Sequence, residues 1–291
     1  MNLQIVFSQG RFKKEKLLFE VKKELIKSLK IRSKSAYVYV RINNKLIEPK
    51  SKNYAESCLF DSNGNKSEDY YSFFDGKTYK MNYFYNKNGS LSQVVRSILN
   101  GKEVDVTNYY YDDNNNLIKE SASSGDKMFK NITTYEYDVN NILIKKISHG
   151  DHEIIYQYEY DSFGNLINTI ENNWFEKTHN YSSKLTYNAD SMVTECRNFS
   201  DGILQSTFTY KYINKINIIE QNIHWEEMHK DQKSIYKYDE KGNVITSKSY
   251  EGDSMIFNSR FKYDLNGLLI EKINLDSNDN EASIYKYIYE Y

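Results

Sequence analysis

The densest group of side chains that could do chemistry is His224-Trp-Glu-Glu-Met-His229. Two imidazoles and two carboxylates in so short a stretch are the raw material of a metal site or an acid–base pair. Their spacing suits neither. The histidines, five residues apart, fall on different faces of a helix and on opposite sides of a strand. The stretch lacks the His-Glu-x-x-His order of zinc proteases, and two ligands do not close a metal site. His149-Gly-Asp-His152 is the second group, and it falls where a turn is expected, so solvation explains it. The sequence holds no Gly-x-Ser-x-Gly elbow, phosphate-binding loop or dinucleotide fingerprint. The expectation is no catalytic residue, no cofactor, no metal and no enzyme.

Aromatic side chains offer another chemistry, stacking and interface packing. Trp174, Trp225, Tyr285, Tyr287 and Tyr289 are the candidate binding residues. The chain holds 28 Tyr and 14 Phe in 291 residues. Such a composition suits half-buried strands, where a tyrosine ring packs while its hydroxyl stays wet.

The elements that position these rings emerge from an internal repeat. Aromatic anchors stand at Phe60, Tyr85, Tyr111, Tyr137, Tyr160, Tyr187, Tyr212, Tyr238, Tyr263 and Tyr289, mostly 25 or 26 residues apart. Two residues earlier lies a second, largely aromatic row, for instance Tyr83, Tyr135, Tyr158 and Phe261. Residues two apart share one face of a strand. The residue between is often polar (Glu136, Glu159, Thr186, Lys211, Lys237, Lys262), which predicts one packed face and one wet face.

Four residues after the anchor, Gly64, Gly89, Gly164, Gly242 and Gly267, or Asn115 and Asn141, supply the left-handed conformation of a tight turn. Ser191 and Ile216 depart from this pattern, and altered loops are expected there. Six residues after the anchor an aliphatic returns, as in Leu91, Leu117, Leu143, Leu166, Val193, Ile218, Val244 and Leu269, with Lys66 the exception. Each unit therefore reads as one β-hairpin. Residues 51–291 form about nine such units plus a half unit. The fold class is all-β: tandem antiparallel hairpins in a long curved or spiralling sheet, with a short N-terminal helix.

Residues 1–50 form a different segment. They carry 13 basic and 4 acidic residues, +9, while the remaining 26 basic and 36 acidic residues give −10. Residues 11–31 read as an amphipathic helix, with Leu18, Val21, Leu25, Ile26 and Leu29 on one face. Its expected task is to cap the first hairpin, since repeat arrays need covered ends. Tyr37–Ile47 reads as a degenerate leading repeat, and Pro49, the sole proline, marks the junction. Two cysteines, Cys58 and Cys196, fit a reducing compartment, and no signal peptide or membrane-spanning run is seen. A cytoplasmic location, or export without a standard signal, is expected.

Tyr135-Glu-Tyr-Asp-Val-Asn-Asn, Tyr158-Glu-Tyr-Asp-Ser-Phe-Gly-Asn-Leu-Ile and Tyr236-Lys-Tyr-Asp-Glu-Lys-Gly-Asn-Val-Ile resemble YD repeats, the units of the Rhs and teneurin group. The resemblance implies a spiralling β-shell, which in Rhs toxins encloses a toxin domain. The proline-containing core and Asp-Pro cleavage site of Rhs proteins have no counterpart here. The expected function is a non-enzymatic protein-binding or encapsulating scaffold, an immunity or accessory protein of a bacterial toxin system. The alternatives are a carbohydrate-binding surface protein, using Trp174, Trp225 and Tyr rings, or a membrane- or nucleic-acid-associated protein acting through the basic N-terminus.

The last residues, Ser283–Tyr291, contain the first strand of a tenth unit and no second strand. An aromatic sheet edge of this kind needs cover. A strand from a partner protein, from a second copy or from the chain's own N-terminal region is expected to complete it.

Overall fold

The computed structural model describes residues 23–42, 45–47, 56–72, 78–99, 101, 103–125, 127–150, 152–173, 180–215, 217–276 and 278–291. A short helix, α1 (Lys23–Ser28), precedes β1 (Ser33–Ile42) and β2 (Lys45–Ile47). Nine hairpins follow among the described residues. They are β3 (Glu56–Phe60) with β4 (Lys66–Ser72), β5 (Thr78–Tyr85) with β6 (Leu91–Ile98), and β7 (Glu103–Tyr111) with β8 (Leu117–Ser124). Next come β9 (Lys127–Tyr137) with β10 (Leu143–His149), β11 (Glu153–Tyr160) with β12 (Leu166–Asn173), and β13 (Asn180–Tyr187) with β14 (Val193–Ser200). The last are β15 (Ile203–Tyr212) with β16 (Ile218–Trp225), β17 (Lys230–Tyr238) with β18 (Val244–Glu251), and β19 (Ser254–Tyr263) with β20 (Leu269–Leu275). Strand β21 (Glu281–Glu290) ends the chain. Two compact units are present, one within Tyr110–Ser121 and Lys130–Ile235, the other within Leu18–Tyr109, Ala122–Phe129 and Tyr236–Tyr291.

The turn chemistry is visible at Asp161. Its Oδ1 accepts the N–H groups of Phe163 (2.9 Å) and Asn165 (2.8 Å), and its Oδ2 accepts the Asn165 amide at 2.9 Å. Gly164 closes the turn at φ +77°, a region open to glycine and costly for branched side chains. Ser191 corrects the sequence reading. It adopts φ 59°, and Asn188 accepts the backbone N–H groups of Asp190 and Met192, so the ordinary turn forms with serine in glycine's place. Ile216 lies outside the described residues.

In the seven hairpins whose register is described, the turn is followed by a β-bulge. Tyr160 faces Leu166 while Glu159 faces Asn168, leaving Ile167 unpaired. The same one-residue skip follows Phe60, Tyr85, Tyr137, Tyr187, Tyr212 and Tyr263. The bulge brings the aliphatic at position six opposite the anchor, where Leu143 and Leu166 are buried with Tyr158 against Tyr137 and Tyr160. In the other unit Val244, Phe261 and Leu269 pack against Tyr238, Tyr263 and Tyr287. A bulge also adds local twist, which bends a sheet.

Six of the anchor hydroxyls are engaged, not wet. Each of six anchors donates to the backbone carbonyl of the position-six residue in the preceding unit. Tyr85 reaches Lys66 (2.7 Å), Tyr137 reaches Leu117 (2.9 Å), Tyr160 reaches Leu143 (2.8 Å) and Tyr187 reaches Leu166 (2.5 Å). Tyr212 reaches Val193 (2.7 Å) and Tyr289 reaches Leu269 (3.0 Å). Each strap contributes about 0.5–1.5 kcal/mol. Because the acceptor is backbone, Lys66 supports its strap as well as leucine does elsewhere. Its ammonium pairs with Asp69 at 2.8 Å and stands 5.9 Å from the Tyr83 ring.

The expectation of an open curved or spiralling sheet is overturned by the pairing of β1. Val40 through Ser33 pair with Ser283 through Glu290 of β21, and Ser33–Ala36 also pair with Leu59–Glu56 of β3. The ladder therefore closes, as an all-β antiparallel barrel of 20 strands, with β2 paired to β1. Closure removes the exposed edges that an open array leaves. Of the three strand donors expected for β21, the chain's own N-terminal region is the one present. Ile26, Ile31 and Leu268 form a buried cluster with Phe60 and Tyr289, so α1 covers this seam. A Cβ on Gly64 would lie 2.8 Å from the Lys23 carbonyl, which makes glycine necessary for the helix to approach. The expected helix residues 11–22 lie outside the described residues.

Candidate interaction surface at the barrel seam

The face opposite the tyrosines is where the units differ chemically. In hairpins β9–β10 and β15–β16 the residue before the anchor is charged and paired across strands. Glu136 meets Lys145 at 3.4 Å, and Glu220 meets Lys211 at 2.8 Å and Lys233 at 2.9 Å. Hydrogen bonds from Lys211, Asn222 and Lys233 hold the Glu220 carboxyl down at about 2. This is a water-facing surface.

Around β1 the same position is apolar. Ile288, Leu59 and Phe84 precede their anchors and are 51%, 36% and 48% exposed. They stand on β21, β3 and β5, in one compact unit. Successive members are two strands apart, so the row extends roughly 20 Å.

Beside this row lies a shallow depression of about 350 Å³. Tyr37 and Tyr39 of β1, Lys286 and Ile288 of β21, and Ile270 and Glu271 of β20 line it, with Lys262 of β19 at its rim. Register explains the grouping: Tyr37 faces Lys286, Lys286 faces Glu271, and Glu271 faces Lys262. Ile270 enters because it is the bulge residue, unpaired and turned to the wet face. Tyr39 is anchored below on Ile273, Leu275 and Ile284. Lys262 and Glu271 form an ion pair at 2.5 Å. The Lys286 ammonium stands 5.3 Å from the centre of the Tyr39 ring, and among the described residues no carboxylate pairs with it. With Tyr287 of β21 also bordering it, the site offers three tyrosines, two exposed isoleucines and one uncompensated cation.

The residues expected from sequence fall differently. Trp174 lies outside the described residues. Trp225 ends β16 and packs edge-on against Phe208 with ring centres 6.2 Å apart. Tyr285, Tyr287 and Tyr289 lie on the tyrosine face: Lys272 stands over Tyr285, Lys34 over Tyr287, and Tyr289 is a strap. Strand β21 lends the depression Lys286 and Ile288 from its other face, and of the three expected tyrosines Tyr287 also borders it. Ile288 carries the signal that was passed over, an aliphatic where most copies are polar. His224 bonds Asp231 at 2.7 Å, and His229 sits in the turn after β16 rather than in a strand. Among the described residues no three His, Cys, Asp or Glu side chains group as metal ligands.

No family model matches this sequence, and no curated protein matches it. Several solved structures are similar to it at low identity. One is a chain of the TcdB2-TccC3-Cdc42 crystal structure, 13% identical over 84% of this chain and 15% of that one, with a TM-score of 0.43. Another is the Photorhabdus luminescens Tc holotoxin pore, 13% identical over 85% of this chain and 15% of that one, at TM-score 0.41. A porin-like protein from Bacteroides uniformis is 12% identical over 89% of this chain and 96% of its own, at 0.39. This chain spans 15% of the length of the two Tc chains.

Proposed function

We propose that this protein is a non-enzymatic, protein-binding scaffold of YD-type repeats. The observation that carries the reading is the apolar row Ile288, Leu59 and Phe84 beside the seam depression, at a strand position that is charged and paired in hairpins β9–β10 and β15–β16. An exposed apolar row rimmed by charge marks interaction surfaces on soluble proteins. The buried cysteines Cys58 and Cys196 and the resemblance to Rhs repeats support a cytoplasmic accessory or immunity role in a toxin system.

The test pairs a random peptide library with a glycan array, both probed with the intact chain. Peptide enrichment that is lost in Ile288→Ser/Leu59→Ser/Phe84→Ser supports the reading. Glycan signal without peptide enrichment would replace it with the carbohydrate-binding alternative.

A further inference from the structure

We infer that the seam depression takes an acidic, apolar segment of a partner protein, its carboxylate on Lys286 and its apolar side chains on Ile270, Ile288 and Tyr37. The inference rests on the scaffold reading above and names the chemistry of its partner.

Charge decides the sign of the ligand. Three charged residues line the site; Lys262 and Glu271 neutralise each other, which leaves Lys286 as a net positive charge. Its contact with the Tyr39 ring holds the ammonium over the depression without cancelling that charge. A carboxylate arriving there gains a charge-assisted hydrogen bond and leaves no buried charge unpaired.

Shape decides the rest. About 350 Å³ is near the lower end for ligand pockets, room for a few side chains and not for a large cofactor. Ile270 and Ile288, 39% and 51% exposed, gain most from being covered. The row continues across β1 to Leu59 and Phe84, so an extended segment has further apolar contacts along about 20 Å. Both walls exist only when β1 pairs with β21, which couples the site to closure of the barrel.

The experiment selects peptides from a random library on the intact chain, then on Lys286→Met, Lys286→Glu and, as a control elsewhere, Lys211→Met. Circular dichroism confirms that each variant is folded. Wild type and Lys211→Met should enrich peptides in which Asp or Glu stands beside aliphatic residues. Synthetic versions should bind Lys286→Met about tenfold more weakly, the loss of one charge-assisted bond. Lys286→Glu should shift the preference to Lys- or Arg-bearing peptides. Enriched peptides without acidic preference, or binding unchanged in Lys286→Met and Lys286→Glu, would overturn the site assignment while leaving the scaffold reading in place. No enrichment on wild type would overturn both.

Discussion

Hairpin β9–β10 and the seam around β1 use one repeat for opposite ends. Before its anchor the first has Glu136, ion-paired with Lys145 and facing water; the seam has Ile288, apolar and half exposed. Their tyrosine faces remain alike: Tyr160 is strapped to Leu143, and Tyr289 to Leu269. The fold is therefore written on one face of the strands, leaving the other free to vary. Exchanging side chains on the two faces should separate stability from binding.

The largest expected effect is on the packed face. Leu143 is 1% exposed, and Leu143→Ala should cost about 2–5 kcal/mol in denaturant unfolding. Ile288→Ser should change stability by less than about 0.5 kcal/mol, as exposed substitutions do, while weakening peptide binding. Comparable stability losses at both positions would erase the distinction between the faces.

Turns come next. Gly164→Val should cost about 1–2 kcal/mol by forcing a branched residue to positive φ. Ser191→Gly should instead stabilise by up to about 1 kcal/mol, because serine already bears that strain. Thermal denaturation of the two variants against wild type reads both signs.

The straps give a smaller contrast. Tyr160→Phe removes a made bond and should cost about 1 kcal/mol. Among the described residues the buried Tyr263 hydroxyl has no hydrogen-bond partner, so Tyr263→Phe should cost nothing or stabilise. Equal losses would show that the ring, and not the strap, matters.

The smallest effect is electrostatic. Hydrogen bonds from Lys211, Asn222 and Lys233 depress Glu220 to about 2, so its contribution is complete above its ordinary carboxylate range. That contribution fades as pH falls through the folded value. Between pH 5 and pH 2, wild type should lose more stability than Glu220→Gln, measured by urea unfolding across that range.

Much of this was legible in residues. The anchors, the Asp-x-x-Gly turns and the nine hairpins follow from spacing, because strand parity and positive φ impose local residue choices. The bulge was harder to see: six is an even number, so Leu166 appeared to share a face with Tyr160 without any irregularity, and Ile167 revealed it only by pairing with nothing. The straps were missed because a hydroxyl that reaches a backbone oxygen leaves no mark on the acceptor's identity, as Lys66 shows. Serine at 191 looked like a broken turn, since one-residue strain is small against the hydrogen bonds of Asn188. The seam depression escaped notice because its walls come from opposite ends of the chain. The unpaired edge of β21 foretold that some strand would fill it, and only the register identified β1.

Closure through β1 underlies the seam and everything assigned to it. Ser35 and Ile288 are register partners across β1 and β21, so Ser35→Cys/Ile288→Cys under mild oxidation tests it most directly. Peptide mapping should find residues 35 and 288 joined within one chain, at a yield independent of protein concentration. A bond that forms only between chains, or none in a folded protein, would contradict the closed ladder.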